Sequence, residues 1–293
     1  MVRNPKKNVY DEIGITYHNK PNMASNGYLF VAFGERYVKE AAVAVQSLRD
    51  IHPNANITLV TDGPESLQGF DQVIHRKPLR LEETYSAGDI SPYYIKIDAM
   101  RNSPYERTLM IDTDAHVQAP IDQIFTLLDN VDLVVTPSAW AVEYKFELTE
   151  PGFAEVPECF GSFNTGVIAF KKTPAFEGFR TAWLKLQSEK ASAFTTNDQP
   201  AFRAALFHSR LPFHVLPQQY NVQPWKGILV PSGTGIKIIH TRNPWYIRFA
   251  PNFKGSRVPL GVGNIRLKYS LLWYGAKVLY GLQRLAKRLK ILN

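Results

Sequence analysis

The chain has 293 residues, 45% hydrophobic, 20% charged and 12% aromatic, with a formal net charge of +8. That fills a full core and excludes a disordered chain, while one cysteine, Cys159, excludes a disulfide framework and any multi-thiolate zinc or iron–sulfur site. Met1 to Asn22 are polar and charged, and no apolar run reaches the ~20 residues of a spanning helix, so the expectation is a cytosolic chain without signal peptide or N-terminal anchor.

In chain order, Gly27 to Gly34 (GYLFVAFG) predicts a buried strand closed by a glycine. Tyr37 to Leu48 keeps helical spacing, Ile57 to Val60 a strand before the turn Thr61-Asp62-Gly63, and Val73 to His75 a short third strand. Pro92 to Met100 predicts a helix with proline in its first turn. Leu109 to Ile111 is an apolar strand running into Asp112-Thr113-Asp114, followed by a helix over Ile121 to Leu128 and a strand over Leu133 to Thr136. Ala139 to Cys159, with Glu143, Glu147, Glu150, Glu155 and Glu158 around Pro151-Gly152, reads as an excursion or lid. Phe163 to Phe170 (FNTGVIAF) resumes strand character, and Gly166 inside it marks a bulge or a group lying close to the backbone. Helices over Phe176 to Leu186 and Asn197 to Leu206 and a strand over Gly235 to His240 follow. Strands alternating with helices predict an α/β fold with a largely parallel sheet.

Asp112 and Asp114 follow an apolar strand. Two residues apart in an extended segment point to one side, and two carboxylates there suit a divalent cation. The carboxyl ends of strands are also where open α/β sheets bind ligands. Solvated turn carboxylates remain the plain alternative. His240 ends the late apolar strand; it reads as a hydrogen-bonded rim residue, or as the nitrogen ligand beside the two carboxylates. Asp198-Gln199 stand at a helix start, where the residues alone favour a cap, and otherwise a carboxylate and an amide aimed at a sugar.

LMIDTDAHV, FNTGVIAF, NDQPAF, LPQQYN and IIH…PW occur in that order from Gly27 to about Trp245. In this set the chain resembles the GT-A nucleotide-diphospho-sugar transferases, near glycosyltransferase family eight. The resemblance implies a GT-A-like (Rossmann-like) mixed, mostly parallel sheet flanked by helices. It implies that Asp112, Asp114 and His240 hold Mn²⁺ (or Mg²⁺) on the diphosphate of a nucleotide-sugar donor, UDP-sugar favoured. Ala32-Phe33-Gly34 fall where the family holds base and ribose. Lys96 matches a basic residue near the donor, Asn164 the asparagine beside the donor sugar, and Asp198 and Gln199 the acidic–amide pair at the reaction centre. Family eight reads H-x-x-G-x-x-K-P-W; here the segment is His240-Thr241-Arg242-Asn243-Pro244-Trp245, without that glycine and lysine. Arg242 is the candidate replacement for the missing charge.

These residue types fit glycosyl transfer. Negative charge builds on the leaving diphosphate, where cations stabilise it. A retaining reaction needs no strong base, because the departing phosphate takes the acceptor proton; an inverting one needs a carboxylate, with Asp198 and Glu158 as candidates. The family likeness leans toward retention.

Charge is segregated along the chain. Residues 1–198 hold 19 Lys and Arg and all 26 Asp and Glu, whereas residues 199–293 hold 15 Lys and Arg and no acid. From Ile265, the residues Leu271, Val278, Leu282, Leu285 and Leu289 fall on one helical face, with Lys277, Arg284, Lys287 and Arg288 opposite. That pattern suits an amphipathic helix lying on an anionic membrane surface, or a terminal helix packed on the domain. No nucleic-acid module accompanies the basicity, so nucleic acid is not an expected partner.

The expectation is therefore a polar segment over 1–25, a GT-A-like domain over 26–255 and a basic amphipathic extension over 256–293. The function expected is metal-dependent transfer of a sugar to a glycan or lipid-linked acceptor, at the inner face of the membrane. A sugar-nucleotide nucleotidyltransferase would want a glycine-rich basic loop, and Phe33-Gly34-Glu35-Arg36 offers one glycine. A non-catalytic sugar-nucleotide or membrane-surface binding protein is the other alternative.

Overall fold

The computed structural model describes residues 25–76, 92–138, 147, 149–189, 197–223, 235–242 and 278. The expectations for residues 1–24, most of the 256–293 extension, Asn243 to Trp245 and the first part of the acidic stretch lie outside these. Of the extension only Val278 is described, as helical and exposed.

β1 (Asn26–Ala32) is a buried strand that feeds α1 (Glu35–Ile51). Val38, Ala41, Ala44, Val45 and Leu48 form the buried stripe of α1, at the spacing that puts one helix face on a sheet. β2 (Ile57–Thr61) is wholly buried and β3 (Gln72–His75) is a more exposed edge. α2 (Pro92–Ala99) precedes β4 (Arg107–Ile111), and β5 (Ala115–Val117) follows almost at once. α3 (Ile124–Leu127) and β6 (Leu133–Pro137) lead to β7 (Phe163–Lys171), α4 (Pro174–Glu189), α5 (Gln199–Ser209), β8 (Phe213–Val215) and β9 (Ile238–His240).

Seven strands form one sheet in the order β3-β2-β1-β4-β7-β6-β8. β1–β2, β2–β3, β1–β4 and β6–β8 are parallel, while β7 is antiparallel to both β4 and β6. The sheet is thus mixed and mostly parallel, as expected. The chain leaves β1 toward β2 and β3 on one side and returns to β4 on the other, so the topological switch point lies between β1 and β4. Ligands of open α/β sheets bind in the crevice such a switch opens at the carboxyl ends.

Alternate residues of each strand feed two cores. Tyr28, Phe30, Leu109, Ile111 and Val167 pack with α1, α3 and β5 on one face. Leu29, Met110, Ile168 and Phe170 pack with α4 and α5 on the other, where Trp183 and Phe202 meet edge-on at 4.8 Å. Gly27 is required by contact: a Cβ there would lie 2.3 Å from the Tyr105 ring.

Three expectations change. The helix over Ile121 to Leu128 is a single turn, because the N–H of Ile121 donates to His52 Nε2 at 3.1 Å and residues 122–123 form a turn. The late strand begins at Ile238, and β5 and β8, three residues each, are too short to announce themselves by alternation. The described part of the acidic stretch is packed down rather than lid-like. Phe153 and Val156 join the second core, Arg203 donates to the Pro157 and Phe160 carbonyls at 2.7 and 2.8 Å, and Arg203 lies 3.6 Å from Glu147, both side chains being buried. Two apolar residues at helical spacing and one buried cation outweigh the stretch's acidity. Among the described residues, no helix is long and apolar enough to cross a membrane.

Candidate metal centre

Asp112 leaves the carboxyl end of β4 and Asp114 enters β5. The two are joined by a turn, with the N–H of Ala115 donating to the Asp112 carbonyl at 3.0 Å. The carboxylates therefore converge through a tight turn, not through the extended alternation expected from their spacing. β9 then pairs antiparallel with β5, setting His240 opposite Ala115, and the N–H of Thr241 donates to the Asp114 carbonyl at 2.7 Å. Three residues distant in sequence meet: ligand atoms of Asp112, Asp114 and His240 all lie within 4.8 Å of one another. His240 Nε2 stands 3.0 Å from Asp114 Oδ1 and 3.9 Å from Asp112 Oδ2. The His240 imidazole and the Arg242 guanidinium hold the Asp114 carboxyl well below the usual range despite its burial, so it stays ionised. Two carboxylates and one imidazole are a donor set that fits a divalent cation of the manganese or magnesium kind.

Gly166 makes room for the imidazole. A Cβ at that position would lie 2.3 Å from His240 Cε1, so the glycine within β7 marks a close approach. His116, two residues beyond Asp114, is buried, and burial pushes it down to about 4. It stays neutral and stands outside the Asp-Asp-His group.

Lys96, from α2, carries the positive charge beside the carboxylates. Its Nζ lies 2.8 Å from Asp112 Oδ1 and 3.9 Å from Asp198 Oδ2, and donates to the Thr165 carbonyl at 2.8 Å. Asp112 and Asp198 outweigh burial and raise the ammonium above its ordinary value. Asp198 occupies the N-cap position of α5, yet its side chain makes no cap bond. Asn197 Oδ1 accepts from the Gln199 N–H instead, at 3.0 Å. The Asp198 carboxylate turns inward: Oδ1 accepts from Thr165 Oγ1 at 2.7 Å, and Oδ2 is buried without a hydrogen-bond partner. Burial raises this carboxyl above its usual range, with Lys96 pulling it back. Trp183 Nε1 donates to the Asp198 carbonyl at 3.2 Å and so anchors the helix start to the aromatic core. Gln199, half-buried, begins α5 beside it.

Asn164 is brought to the same edge by the start of β7. Its Oδ1 accepts from the Gly166 N–H at 3.0 Å and from Asn221 Nδ2 at 2.6 Å. Phe33 and Gly34 follow β1. Gly34 has φ 87°, a conformation that favours glycine, and its N–H donates to Asp62 Oδ1 at 2.8 Å. Arg242 does reach the site, but as a partner of its anions: it lies 3.1 Å from Asp114 Oδ2 and 3.1 Å from Glu40 Oε1, with Tyr37 stacked below its guanidinium at 5.9 Å. Val31, Phe33, Tyr37, Lys96, Asp112, Thr113, Asp114 and Arg242 line one cleft at the β1–β4 switch point.

Sequence reasoning passed over Glu40, Tyr37, Thr165 and Asn221. Thr165 and Asn221 lie inside segments whose other residues were singled out, whereas Glu40 and Tyr37 look like ordinary positions on the exposed side of α1.

No family model and no curated protein matches the chain. Solved structures do. The apo glycosyltransferase GlyE of Streptococcus pneumoniae TIGR4 is 16% identical, over 74% of this chain and 54% of that one, with a TM-score of 0.50. The galactosyltransferase LgtC, solved with donor and acceptor sugar analogs, is 14% identical over 85% and 95%, with a TM-score of 0.46. The bifunctional glycosyltransferase WbbM in its apo form is 15% identical over 77% and 48%, with a TM-score of 0.48. The chain thus spans about half the length of GlyE and WbbM. The likeness to GlyE is one of fold.

Proposed function

We propose that the chain is a metal-dependent glycosyltransferase that moves a sugar from a nucleotide-diphosphate donor to a glycan or lipid-linked acceptor. One observation carries this reading: Asp112, Asp114 and His240 converge beside Lys96 at the switch-point cleft, in a fold like that of a glycosyltransferase. Mn²⁺ (or Mg²⁺) held by these three would supply positive charge to the donor's two phosphates. The resemblance of the motifs to family eight favours UDP as carrier and retention as the stereochemical course.

In this reading the bond from the anomeric carbon to the diphosphate oxygen breaks, and its electron pair leaves with the diphosphate. The acceptor hydroxyl oxygen forms the new bond, and its proton passes to the departing phosphate oxygen. Lys96, beside Asp112, steadies the growing negative charge. Phe33 and Gly34 form the wall on which base and ribose rest. Asp198, whose Oδ2 makes no hydrogen bond and lies 3.9 Å from Lys96, is the carboxylate assigned to the oxocarbenium-like sugar, and Gln199 and Asn164 are assigned to its hydroxyls. Arg242, fixed by Glu40, orders Asp114.

A thermal-shift screen of UDP-, GDP-, CMP- and TDP-sugars with and without Mn²⁺ tests the assignment. A nucleotide-diphosphate sugar should raise the unfolding midpoint only with the cation. No shift from any donor in Mn²⁺ would contradict it.

The charge segregation supports a second element. The acid-free, amphipathic segment from Ile265 would place the enzyme on the anionic inner face of a membrane, near lipid-linked acceptors.

A further inference from the structure

A chain of hydrogen bonds runs behind the candidate ligand histidine. It begins at a donor whose direction is fixed: the backbone N–H of Gly166 donates to Asn164 Oδ1 at 3.0 Å. Asn164 Oδ1 is therefore an acceptor, and the Asn221 atom 2.6 Å from it must be the amide nitrogen. That nitrogen also donates to Thr136 Oγ1 at 2.8 Å, whose own hydrogen goes to the Asn164 carbonyl at 3.1 Å. Asn221 Oδ1 is then left facing His240 Nδ1, at 2.9 Å. An amide oxygen only accepts, so Nδ1 must carry the proton. Nε2, 3.0 Å from Asp114 Oδ1, is then the ring nitrogen that would exchange its proton for a bound cation while Nδ1 keeps its own.

We infer that Asn221 is a positioning residue for the metal centre: through the Gly166–Asn164–Asn221 relay it fixes His240 as the Nδ1–H tautomer and aims Nε2 at the cation. The inference rests on the metal-site reading above and deepens it. Burial makes the relay selective. Thr136, Asn164, Asn221 and His240 are all buried, so a reversed amide would leave two oxygens facing each other without water to separate them. Metal-binding histidines in general owe their orientation and basicity to the group on the other ring nitrogen. Here that group is an amide, whose orientation is itself dictated by a main-chain N–H. The ring also occupies the space that a Gly166 side chain would fill, 2.3 Å from its Cε1 and 2.7 Å from its Nδ1.

The test uses the full chain and the metal alone. Mn²⁺ affinity is measured by the electron-spin-resonance signal of the free ion for wild type, Asn221→Ala and Thr136→Ser. Loss of the Nδ1 acceptor in Asn221→Ala should weaken Mn²⁺ about 10–100-fold. Thr136→Ser, which keeps the hydroxyl that accepts from the Asn221 amide, should stay near wild type. Independently of any variant, ¹⁵N shifts of His240 in histidine-labelled, Mg²⁺-loaded wild type should report a proton on Nδ1. A folded Asn221→Ala that binds Mn²⁺ like wild type, or a wild-type proton on Nε2, overturns the relay and leaves the metal site standing. A wild type that binds no Mn²⁺ overturns the metal-site reading itself.

Discussion

The His240 imidazole lies against the backbone of Gly166, so close that a methyl group there would sit 2.3 Å from Cε1. Nothing in strand geometry forbids alanine at this position; the contact does. Gly166→Ala should push the ring away from Asp114, cost about 1–3 kcal/mol of stability through overpacking, and weaken Mn²⁺ binding. Denaturant unfolding and a metal titration check both effects. An alanine variant with wild-type stability and affinity would show that the ring is not held there.

Lys96 stands between Asp112 and the buried Asp198. Lys96→Met leaves these carboxylates without their cation and should cost about 3–5 kcal/mol at neutral pH. Burial raises the Asp198 carboxyl, and Lys96 draws it back. A raised carboxyl costs stability when ionised; that cost declines as pH falls below its folded pKa and is gone below its unfolded one. Without Lys96 the carboxyl rises further. The variant's deficit in thermal midpoint should therefore shrink as pH is lowered through the carboxylate range. A deficit independent of pH would contradict the coupling.

Asp198 turns its carboxylate inward from a helix start instead of capping it. Asp198→Asn keeps the shape and a partner for Thr165, but removes the charge proposed to face the sugar. Turnover should fall by about 10²-fold or more while Mn²⁺ affinity stays near wild type. Equal losses in both would mark Asp198 as structural.

Much of this arrangement was legible in the residues. Strand–helix alternation announced the α/β sheet, and the order of the motifs brought together Asp112, Asp114, His240, Lys96 and Asp198. Gly166 announced a close approach without saying of what. Other features were hidden for physical reasons. The antiparallel placement of β7 is a pairing choice between distant segments, and three-residue strands such as β5 carry no period. The convergence of Asp112 and Asp114 comes from a turn, which the D-x-D spacing alone cannot distinguish from an extended pair. Glu40 and Tyr37 gain their roles only when β9 delivers Arg242 to α1. The acidity of the stretch before β7 suggested a lid, but Phe153, Val156 and Arg203 fasten its described part to the core.

The basic extension makes a separate prediction. Deleting residues 265–293 should release the protein from anionic liposomes without unfolding the domain, because the acid-free segment supplies the attraction to the surface. Co-sedimentation of the truncated chain at the full-length level would defeat the membrane assignment.

Calorimetric titration of a nucleoside diphosphate into wild type and Asp114→Asn, each with and without Mn²⁺, tests the central claim most directly. The account predicts binding by wild type that requires the cation and is lost in the folded variant. Equal, cation-independent affinity in both proteins would contradict it.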